Sequence, residues 1–272
     1  CSWMLQFSTY KRPLVEGLIL FKHQTAMWKP ASPYNNLPEL PPPFRETAKI
    51  FRQTTQSRVA LERLHQTVRL LPEKEIFVQI IPVLEAQASS EIENIAAATD
   101  NLFKYLDADS QADDAAKEVL RYRQALWKGM DSLKRCPLSL RTMTAVSSTL
   151  RGSKVSVRKL NGTCIASASS GQVIYTPPAG EALILEKLHN LVEFLHSPSE
   201  MDPLVKMAIA HYQFEAIHPF SDGNGRTGRI LNILYLAESG LLSQPVLYLS
   251  RYIIRHKLKY YAALLNVTKA GA

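Results

Sequence analysis

Hydrophobic positions recur with a helical period along most of the chain, at spacings of three and four residues. The stretches with this pattern are 45–71, 73–97, 110–135, 138–150, 181–196, 203–217, 226–240 and 250–270. Pro82 interrupts the second stretch and predicts a kink or a restart there, because proline lacks the N–H that a helix needs. Gly240 is typical of a helix stop. The pattern therefore predicts a mainly α-helical protein.

Two stretches depart from the helical pattern. Residues 28–44 are rich in proline and cannot form a continuous helix, so they predict an arm on the surface. Its apolar residues are expected to pack: Trp28, Leu37, Leu40 and Phe44. Residues 151–180 contain β-branched residues with Asn-Gly, Ser-Gly and Pro-Pro pairs, which favour a β-hairpin or flap. We therefore expect one helical domain with a small flap, preceded by an arm.

Composition narrows the class of protein only slightly. The 272 residues are 46% hydrophobic and 21% charged, as in soluble globular proteins. The net charge of +8 fits nucleotide phosphates, nucleic acid or acidic partners, although the basic stretch 250–261 is more typical of a solvated helix face. No apolar run approaches the ~18 residues of a membrane span, so no membrane partner is expected. Three cysteines lack metal-ligand spacing, which favours a reducing, cytoplasmic location.

The stretch HPFSDGNGRTGR, residues 218–229, concentrates groups that suit phosphate chemistry. Gly223, Asn224 and Gly225 lie between two helical patterns, so free backbone N–H groups and the positive end of the next helix predict an anion site. Arg226 and Arg229 follow three residues apart, and this spacing predicts that both project from one helix face over the loop. Arginine suits bidentate phosphate contacts.

Two further residues of this loop suit catalysis. Asp222 supplies a carboxylate beside the predicted phosphate cradle, where it can hold Mg²⁺ together with phosphate oxygens. His218 lies at the mouth of the loop, where an imidazole can accept a proton from an incoming hydroxyl. Each feature alone is common in structural loops and solvated helix faces. Their combination in twelve residues favours a catalytic phosphate site.

This stretch resembles the signature of the Fic (filamentation-induced-by-cAMP) family, His-x-Phe-x-Asp/Glu-Gly-Asn-Gly-Arg-x-x-Arg, at each specified position. The arm sequence LPELPP, the flap sequence VIYTPP and the basic SRYIIRHKLKYY are also similar to bacterial Fic proteins. The resemblance implies a Fic fold, a helical bundle with a small β-hairpin flap. It also implies a protein adenylyltransferase, which uses ATP and Mg²⁺ to transfer AMP to a Ser, Thr or Tyr hydroxyl of a target protein, itself included.

The resemblance also implies roles for individual residues. His218 would be the general base, Phe220 a core anchor, and Asp222 the Mg²⁺ ligand. Arg226 would contact the β-phosphate region and Arg229 the γ-phosphate. The remaining expected ATP- and phosphate-binding residues are Gly223, Asn224, Gly225, Thr227 and Tyr260. Strand addition to the flap would dock the target segment, through residues Val173, Ile174, Tyr175 and Thr176.

A second motif, SSEIEN, contains Ser89 and Glu93 at i and i+4 of one predicted helix. It resembles the inhibitory helix of the Fic class in which the inhibitory segment precedes the catalytic core in the same chain. In that class the glutamate binds the second motif arginine, here Arg229, and keeps it from the γ-phosphate. One guanidinium cannot serve both anions, and a carboxylate there also repels phosphate.

These expectations divide the chain into 1–72 as N-terminal arm and helix, 73–109 as inhibitory helix region, and 110–272 as Fic catalytic core. The flap is expected near 165–178. Alternatives remain open: transfer of another phosphate-containing group, removal of AMP, or a DNA-binding regulatory protein. Many relatives continue into a C-terminal winged-helix segment, which is expected to be absent or trimmed here because the chain ends at Ala272, so DNA binding is expected only through such a segment. A homodimer is a further open alternative.

Overall fold

The computed structural model describes residues 28–95, 113–160, 162–167 and 170–271. Residues 1–27 of the predicted arm, 96–109 of the predicted inhibitory region, 110–112 of the predicted core and 168–169 of the predicted flap lie outside the described residues. The helices within the described part are α1 (Ala48–Leu70), α2 (Lys74–Ile92), α3 (Asp114–Leu133), α4 (Leu140–Arg151), α5 (Glu181–His196), α6 (Pro203–Ile217), α7 (Asn224–Glu238), α8 (Leu249–Arg255) and α9 (Lys257–Ala270). The prediction of a mainly α-helical protein is confirmed.

Local sequence signals set several helix ends. The side chains of four N-cap residues accept hydrogen bonds from backbone N–H groups of the first turn, which otherwise lack partners. These caps are Thr47 of α1, Asp113 of α3, Ser139 of α4 and Asp202 of α6. Gly152 ends α4 in the left-handed conformation (φ 66°), where a glycine avoids the steric cost of a side chain.

The structure refines two helix predictions. Of the two alternatives expected at Pro82, a kink or a restart, the restart does not occur, because α2 runs through Pro82, which is buried inside the helix. The predicted helix 250–270 is two helices, α8 and α9, because His256 leaves the α conformation (φ −125°, ψ 30°). The His256 ring lies on the Tyr252 ring, with centroids 4.1 Å apart, and its Nδ1 is 2.9 Å from the Tyr252 carbonyl oxygen.

Helix α7 forms the centre of the protein, and most of its residues are buried. It packs against α6, α3, α4 and α2, so that helices distant in sequence converge around its N-terminal half. The largest fully buried apolar side chains of the main core are Leu37, Tyr122, Leu126, Leu138, Met143, Leu150, Ile184, Phe214 and Phe220. The fold therefore places the start of α7, which follows the glycine-rich loop, inside a ring of other helices.

The arm packs on this core as predicted through Leu37, which is buried, and through Trp28 and Leu40, which are partly buried. Lys187 Nζ donates to the Leu37 carbonyl at 2.6 Å, and Asn190 Nδ2 donates to the Leu40 carbonyl at 2.9 Å. These bonds tie a chain without regular structure to α5.

The flap is a two-stranded antiparallel sheet of β1 (Ile165–Ala166) and β2 (Val173–Tyr175), with Ile165 opposite Tyr175. This confirms the expected hairpin. Among the described helices, none is both long enough and apolar enough to cross a membrane.

Candidate active site

The glycine-rich loop connects the end of α6 to the start of α7. His218 is the C-cap of α6 in the left-handed conformation (φ 49°, ψ 59°), and Gly223 precedes α7 with φ 76°. Asn224 is buried and turns its side chain back into the loop, where Oδ1 accepts from the Phe220 N–H at 2.9 Å and Nδ2 donates to the Phe220 carbonyl at 2.7 Å. The Asn224 side chain thus fixes the loop, while the first N–H groups of α7 remain available to an anion.

His218 is held as a neutral base. Burial, together with the nearby Arg158 guanidinium, lowers the pKa of its imidazole to about 4. The Glu215 backbone and the carboxylates of Glu93 and Asp222 act in the opposite direction but do not reverse the shift. At neutral pH the imidazole is therefore unprotonated and able to accept a proton.

Asp222 lies at the mouth of the loop, half-exposed. Its Oδ1 accepts from the Gly223 N–H at 2.6 Å, and its Oδ2 pairs with Arg151 from the end of α4. A single accessible carboxylate beside an anion site suits Mg²⁺, which takes one or two protein carboxylates and completes its shell with phosphates and water. No cluster of three or more His, Cys, Asp or Glu residues suited to a metal occurs in the part of the chain that the structure describes. The residues present fit Mg²⁺ carried with a nucleotide.

Arg226 and Arg229 pair with different helices, although guanidinium atoms of both stay near the loop: a Cβ at Gly223 would lie 3.9 Å from Arg226 Nη2, and a Cβ at Gly225 would lie 3.0 Å from Arg229 Nη1. Arg226 is buried and pairs with Glu118 of α3. Arg229 is 1% exposed and points to α2. The two guanidiniums diverge because each is attracted to an acidic side chain on a different neighbouring helix.

Arg229 is bound by both residues of the upstream motif. Its Nε donates to Ser89 Oγ at 2.7 Å, and its Nη2 donates to the Ser89 carbonyl at 3.0 Å and to Glu93 Oε1 at 2.8 Å. Burial alone would lower the pKa of Arg229, but Glu93, Tyr260 and Glu215 raise it above its ordinary value. Arg229 is therefore charged and engaged by Glu93.

Gly225 explains how Glu93 approaches the helix so closely. A Cβ at residue 225 would overlap the Glu93 carboxylate and come within 3.0 Å of Arg229 Nη1. The Glu93 carboxylate therefore occupies the space above the first turn of α7, beside the N–H groups that would receive phosphate. Glu93 itself is the C-cap of α2, one residue beyond the helix end, and not a residue of a continuous helix to residue 97.

Tyr260 of α9 lies beside this site. Its hydroxyl is 2.8 Å from His211 Nε2, and burial raises its pKa well above the ordinary value. Glu215 approaches from α6, and burial raises the pKa of its carboxyl to about 7. Its Oε1 makes no hydrogen bond within the described residues. Helices α2, α6, α7 and α9 thus enclose one pocket around Arg229.

Some predicted site side chains point away from the loop. Thr227 is fully buried in α7. In the flap, Ile174 is 37% exposed and Val173 is partly exposed, whereas Tyr175 and Thr176 are buried. Tyr175 and Thr176 turn inward because their hydroxyls donate to the backbone carbonyls of Ala216 and Pro30. Of the four predicted flap residues, Val173 and Ile174 are thus the two whose side chains remain accessible.

Three residues near the site were missed by the sequence reasoning: Glu118, Arg151 and Arg158. Each contacts a loop residue from a distant part of the chain, as with Glu118, which lies 108 positions before Arg226. Charged residues of this kind are indistinguishable by spacing from those on solvated helix faces. No local signal in the sequence could have found them.

The comparisons with known proteins agree with this geometry. The family model described as Fic/DOC family N-terminal matches residues 51–131, and the model described as Fic/DOC family matches residues 138–236. Together they cover α1 to α7 and include the whole glycine-rich loop. The chain belongs to the Fic/DOC family.

Curated relatives are similar over about a third of the chain. The chain is 41% identical over 92 residues to protein adenylyltransferase fic-1 of Caenorhabditis briggsae, covering 33% of this chain and 17% of that protein. It is 37% identical over 90 residues to a probable protein adenylyltransferase of Aquifex aeolicus, covering 33% of this chain and 25% of the relative. These matches therefore span a quarter or less of the length of those relatives.

Solved structures resemble the fold over most of the described chain. A Fic family protein from Desulfovibrio desulfuricans G20 aligns with a TM-score of 0.63 at 21% identity, covering 84% of this chain and 70% of the other. Fic-1 from Caenorhabditis elegans aligns with a TM-score of 0.57 at 21% identity, covering 83% and 66%. At this level of identity the likeness establishes the Fic fold.

Proposed function

We propose that this chain is a protein adenylyltransferase that transfers AMP from ATP to a Ser, Thr or Tyr hydroxyl of a target protein and releases pyrophosphate. We propose in addition that Glu93 inhibits the transfer by holding Arg229. Both proposals rest on one observation: Ser89 and Glu93 are hydrogen-bonded to Arg229, beside a loop that contains a neutral His218.

The loop supports the transfer step through its own residues. His218 would accept the proton of the target hydroxyl as the hydroxyl oxygen bonds to the α-phosphorus and the bond to pyrophosphate breaks. The free N–H groups at the start of α7 would bind phosphate oxygens, with Gly223, Asn224 and Gly225 forming the cradle. Asp222 would hold Mg²⁺, which neutralises phosphate charge when bound. Positioned charges of this kind account for most of phosphoryl-group catalysis.

Inhibition would follow from competition for one guanidinium. Arg229 is buried, so it cannot reach a γ-phosphate and Glu93 at the same time. The Glu93 carboxylate lies over Gly225, so it would also repel a phosphate placed on the α7 N-terminus. ATP would bind in a productive pose only after Glu93 moves away.

The test compares wild type with Glu93→Gly, using ATP labelled on the α-phosphate, Mg²⁺ and a cell lysate. Glu91→Gly is the matched control, because Glu91 lies two residues away and its side chain is exposed. Glu93→Gly is expected to raise AMP incorporation about tenfold or more, whereas Glu91→Gly stays at the wild-type level. Equal incorporation by Glu93→Gly and wild type would refute the inhibitory role.

A second comparison tests the base and the transferred group. His218→Ala in the Glu93→Gly background is expected to lose incorporation while ATP binding is retained, because the imidazole acts on the hydroxyl. Retained transfer would remove His218 from that role. Excess unlabelled UTP or CDP-choline that suppressed labelling as strongly as ATP would favour transfer of another group, and release of label from a modified target would reveal removal of AMP.

A further inference from the structure

A buried arginine outside the signature contacts the backbone that carries His218. Arg158 lies in the extended segment between α4 and the flap and is 7% exposed. Its Nε donates to the His218 carbonyl at 2.8 Å, and its Nη2 donates to the Ile217 carbonyl at 3.2 Å. Its own backbone N–H donates to the Pro219 carbonyl at 2.9 Å. The end of α6 is thus bound from one side by a single residue.

The charge of Arg158 is balanced by carbonyl groups instead of a carboxylate. No ion pair of Arg158 occurs among residues 28–95, 113–160, 162–167 and 170–271. Burial lowers the pKa of its guanidinium, but the carbonyl ends of α6 carry the negative end of the helix dipole, which stabilises a cation. The Arg158 guanidinium is therefore placed to hydrogen-bond the backbone at the end of α6 and not to form a surface ion pair.

The His218 backbone needs such support. His218 is a non-glycine residue in the left-handed conformation, which is sterically disfavoured for residues with a Cβ and persists when neighbouring contacts hold it. The Tyr175 hydroxyl adds a further bond, to the Ala216 carbonyl at 2.8 Å. The last carbonyls of α6 are therefore bound by two side chains that come from the flap region.

The same guanidinium also contacts the segment at the base of the flap. Arg158 Nη2 donates to the carbonyl of Pro178, in the segment that leaves β2 for α5. One planar group thus joins the backbone of His218 to the base of the flap. Arginine suits this task because its fork presents several donors in fixed directions, which a lysine ammonium does not.

We propose that Arg158 is a positioning residue that fixes His218 and the flap as one unit, so that a target segment added to the edge of β2 presents its hydroxyl to the imidazole. This inference rests on the proposed function. It differs from the roles implied by the loop signature, because Arg158 would touch neither ATP nor the target hydroxyl.

The test uses Arg158→Met in the Glu93→Gly background, since methionine keeps much of the side-chain length but removes all donors. The turnover number for self-labelling with ATP is expected to fall about 100-fold, as for a small misplacement of a catalytic group. The KM for ATP is expected to change less than threefold, because Arg158 lies outside the phosphate cradle. Arg158→Lys is expected to recover part of the turnover.

Lys159→Met is the matched control, because Lys159 is the adjacent residue, is 68% exposed in its side chain and pairs only at the surface with Glu181. It should match the Glu93→Gly parent in turnover and in KM. An Arg158→Met variant with parental turnover would refute the proposal. So would a variant that loses ATP affinity and turnover in parallel, since that pattern indicates general disruption.

A readout that does not depend on activity separates this inference from the proposed function. The imidazole resonance of His218, identified among the seven histidines by His218→Asn, is followed by NMR in ¹³C-labelled protein. Arg158→Met should shift or broaden this resonance and leave those of the exposed His196 and the partly buried His256 unchanged, even if Glu93→Gly incorporates no label. An unchanged His218 resonance would contradict the positioning role. If Arg158→Met does not fold, the same comparison is made with Arg158→Lys.

Discussion

The contacts of Arg229 predict a graded response to mutations at Ser89 and Glu93. Ser89→Ala removes the 2.7 Å bond from Arg229 Nε to Ser89 Oγ but keeps the bond to the Ser89 carbonyl. Glu93→Gln keeps an oxygen that can accept from Arg229 Nη2 but removes the charge. Glu93→Gly removes the acceptor altogether. AMP incorporation should therefore rise in the order wild type, Ser89→Ala, Glu93→Gln, Glu93→Gly.

The size of each step follows from the kind of bond that is lost. A hydrogen bond to a charged group contributes about 1.5–3 kcal/mol. The Glu93 side chain is 34% exposed, so water screening places its bond near the lower end, about 1.5 kcal/mol or roughly tenfold in the population of free Arg229. The Ser89 hydroxyl is a neutral acceptor, and after Ser89→Ala the guanidinium keeps its bonds to the Ser89 carbonyl and to Glu93, so the loss is expected to be smaller, about 1 kcal/mol or roughly fivefold. These ratios are the expected increases in initial labelling rate at subsaturating ATP.

Stability should change in the opposite direction. Glu93→Gly leaves the Arg229 guanidinium buried without its charged partner, and since Glu93 is 34% exposed the loss is expected to be about 1.5–3 kcal/mol. Glu91→Gly does not alter Arg229 and serves as the control in both assays. Thermal melting and labelling rates are measured on the same preparations without and with ATP.

The two assays distinguish inhibition from a structural role. If Glu93 restrains Arg229, the variant that melts lowest labels fastest, and added ATP restores part of its melting temperature, because ligand binding stabilises the folded state. A Glu93→Gly variant that melts lower but labels no faster than wild type would show that the ion pair only stabilises the fold. Ser89→Ala labelling faster than Glu93→Gly would also refute the reasoning.

Three further predictions concern groups around the site. Gly225→Ala should destabilise the wild type by about 1–3 kcal/mol, because its Cβ overlaps the Glu93 carboxylate. The loss should be much smaller in the Glu93→Gly background. Equal losses in the two backgrounds, measured by denaturant unfolding, would contradict this contact. Asn224→Ala should cost about 1–3 kcal/mol and slow labelling, because two buried Phe220 backbone groups lose their partners; an unchanged melting temperature would show that the loop does not need this clamp. Glu85 of α2 is buried, and its Oε2 accepts from the Ser250 N–H at 2.8 Å. Burial raises the pKa of Glu85 to about 7 from its ordinary value of 4.5, so its contribution to stability is complete below 4.5 and is lost as pH rises through 7. The free energy of unfolding of Glu85→Gln, taken relative to that of the wild type, should therefore rise by about 3 kcal/mol between pH 4.5 and pH 7.5. Melts across that range measure this difference, and a difference that stays constant would refute the raised pKa.

Much of the fold could be predicted from the sequence, because helix periods and caps are local. The stretches 181–196 and 203–217 match α5 and α6 to the residue. The break at His256 was missed because a ring stacked on Tyr252 and bonded to its carbonyl leaves no trace in the hydrophobic pattern. The sequence could not decide whether α2 restarts at Pro82, because the buried packing of α2 outweighs the local preference of proline.

The sequence by itself determined which groups meet in the loop, since His218, Asp222 and Gly223 lie close together in the chain and their spacing fixes their common location. Only the tertiary structure decided where the arginines point. Arg226 turns to Glu118 and Arg229 to Ser89 and Glu93, because long charged side chains buried between helices follow the nearest carboxylate and not their own helix spacing. The partners lie more than a hundred residues away along the chain, and folding alone brings them within a hydrogen bond.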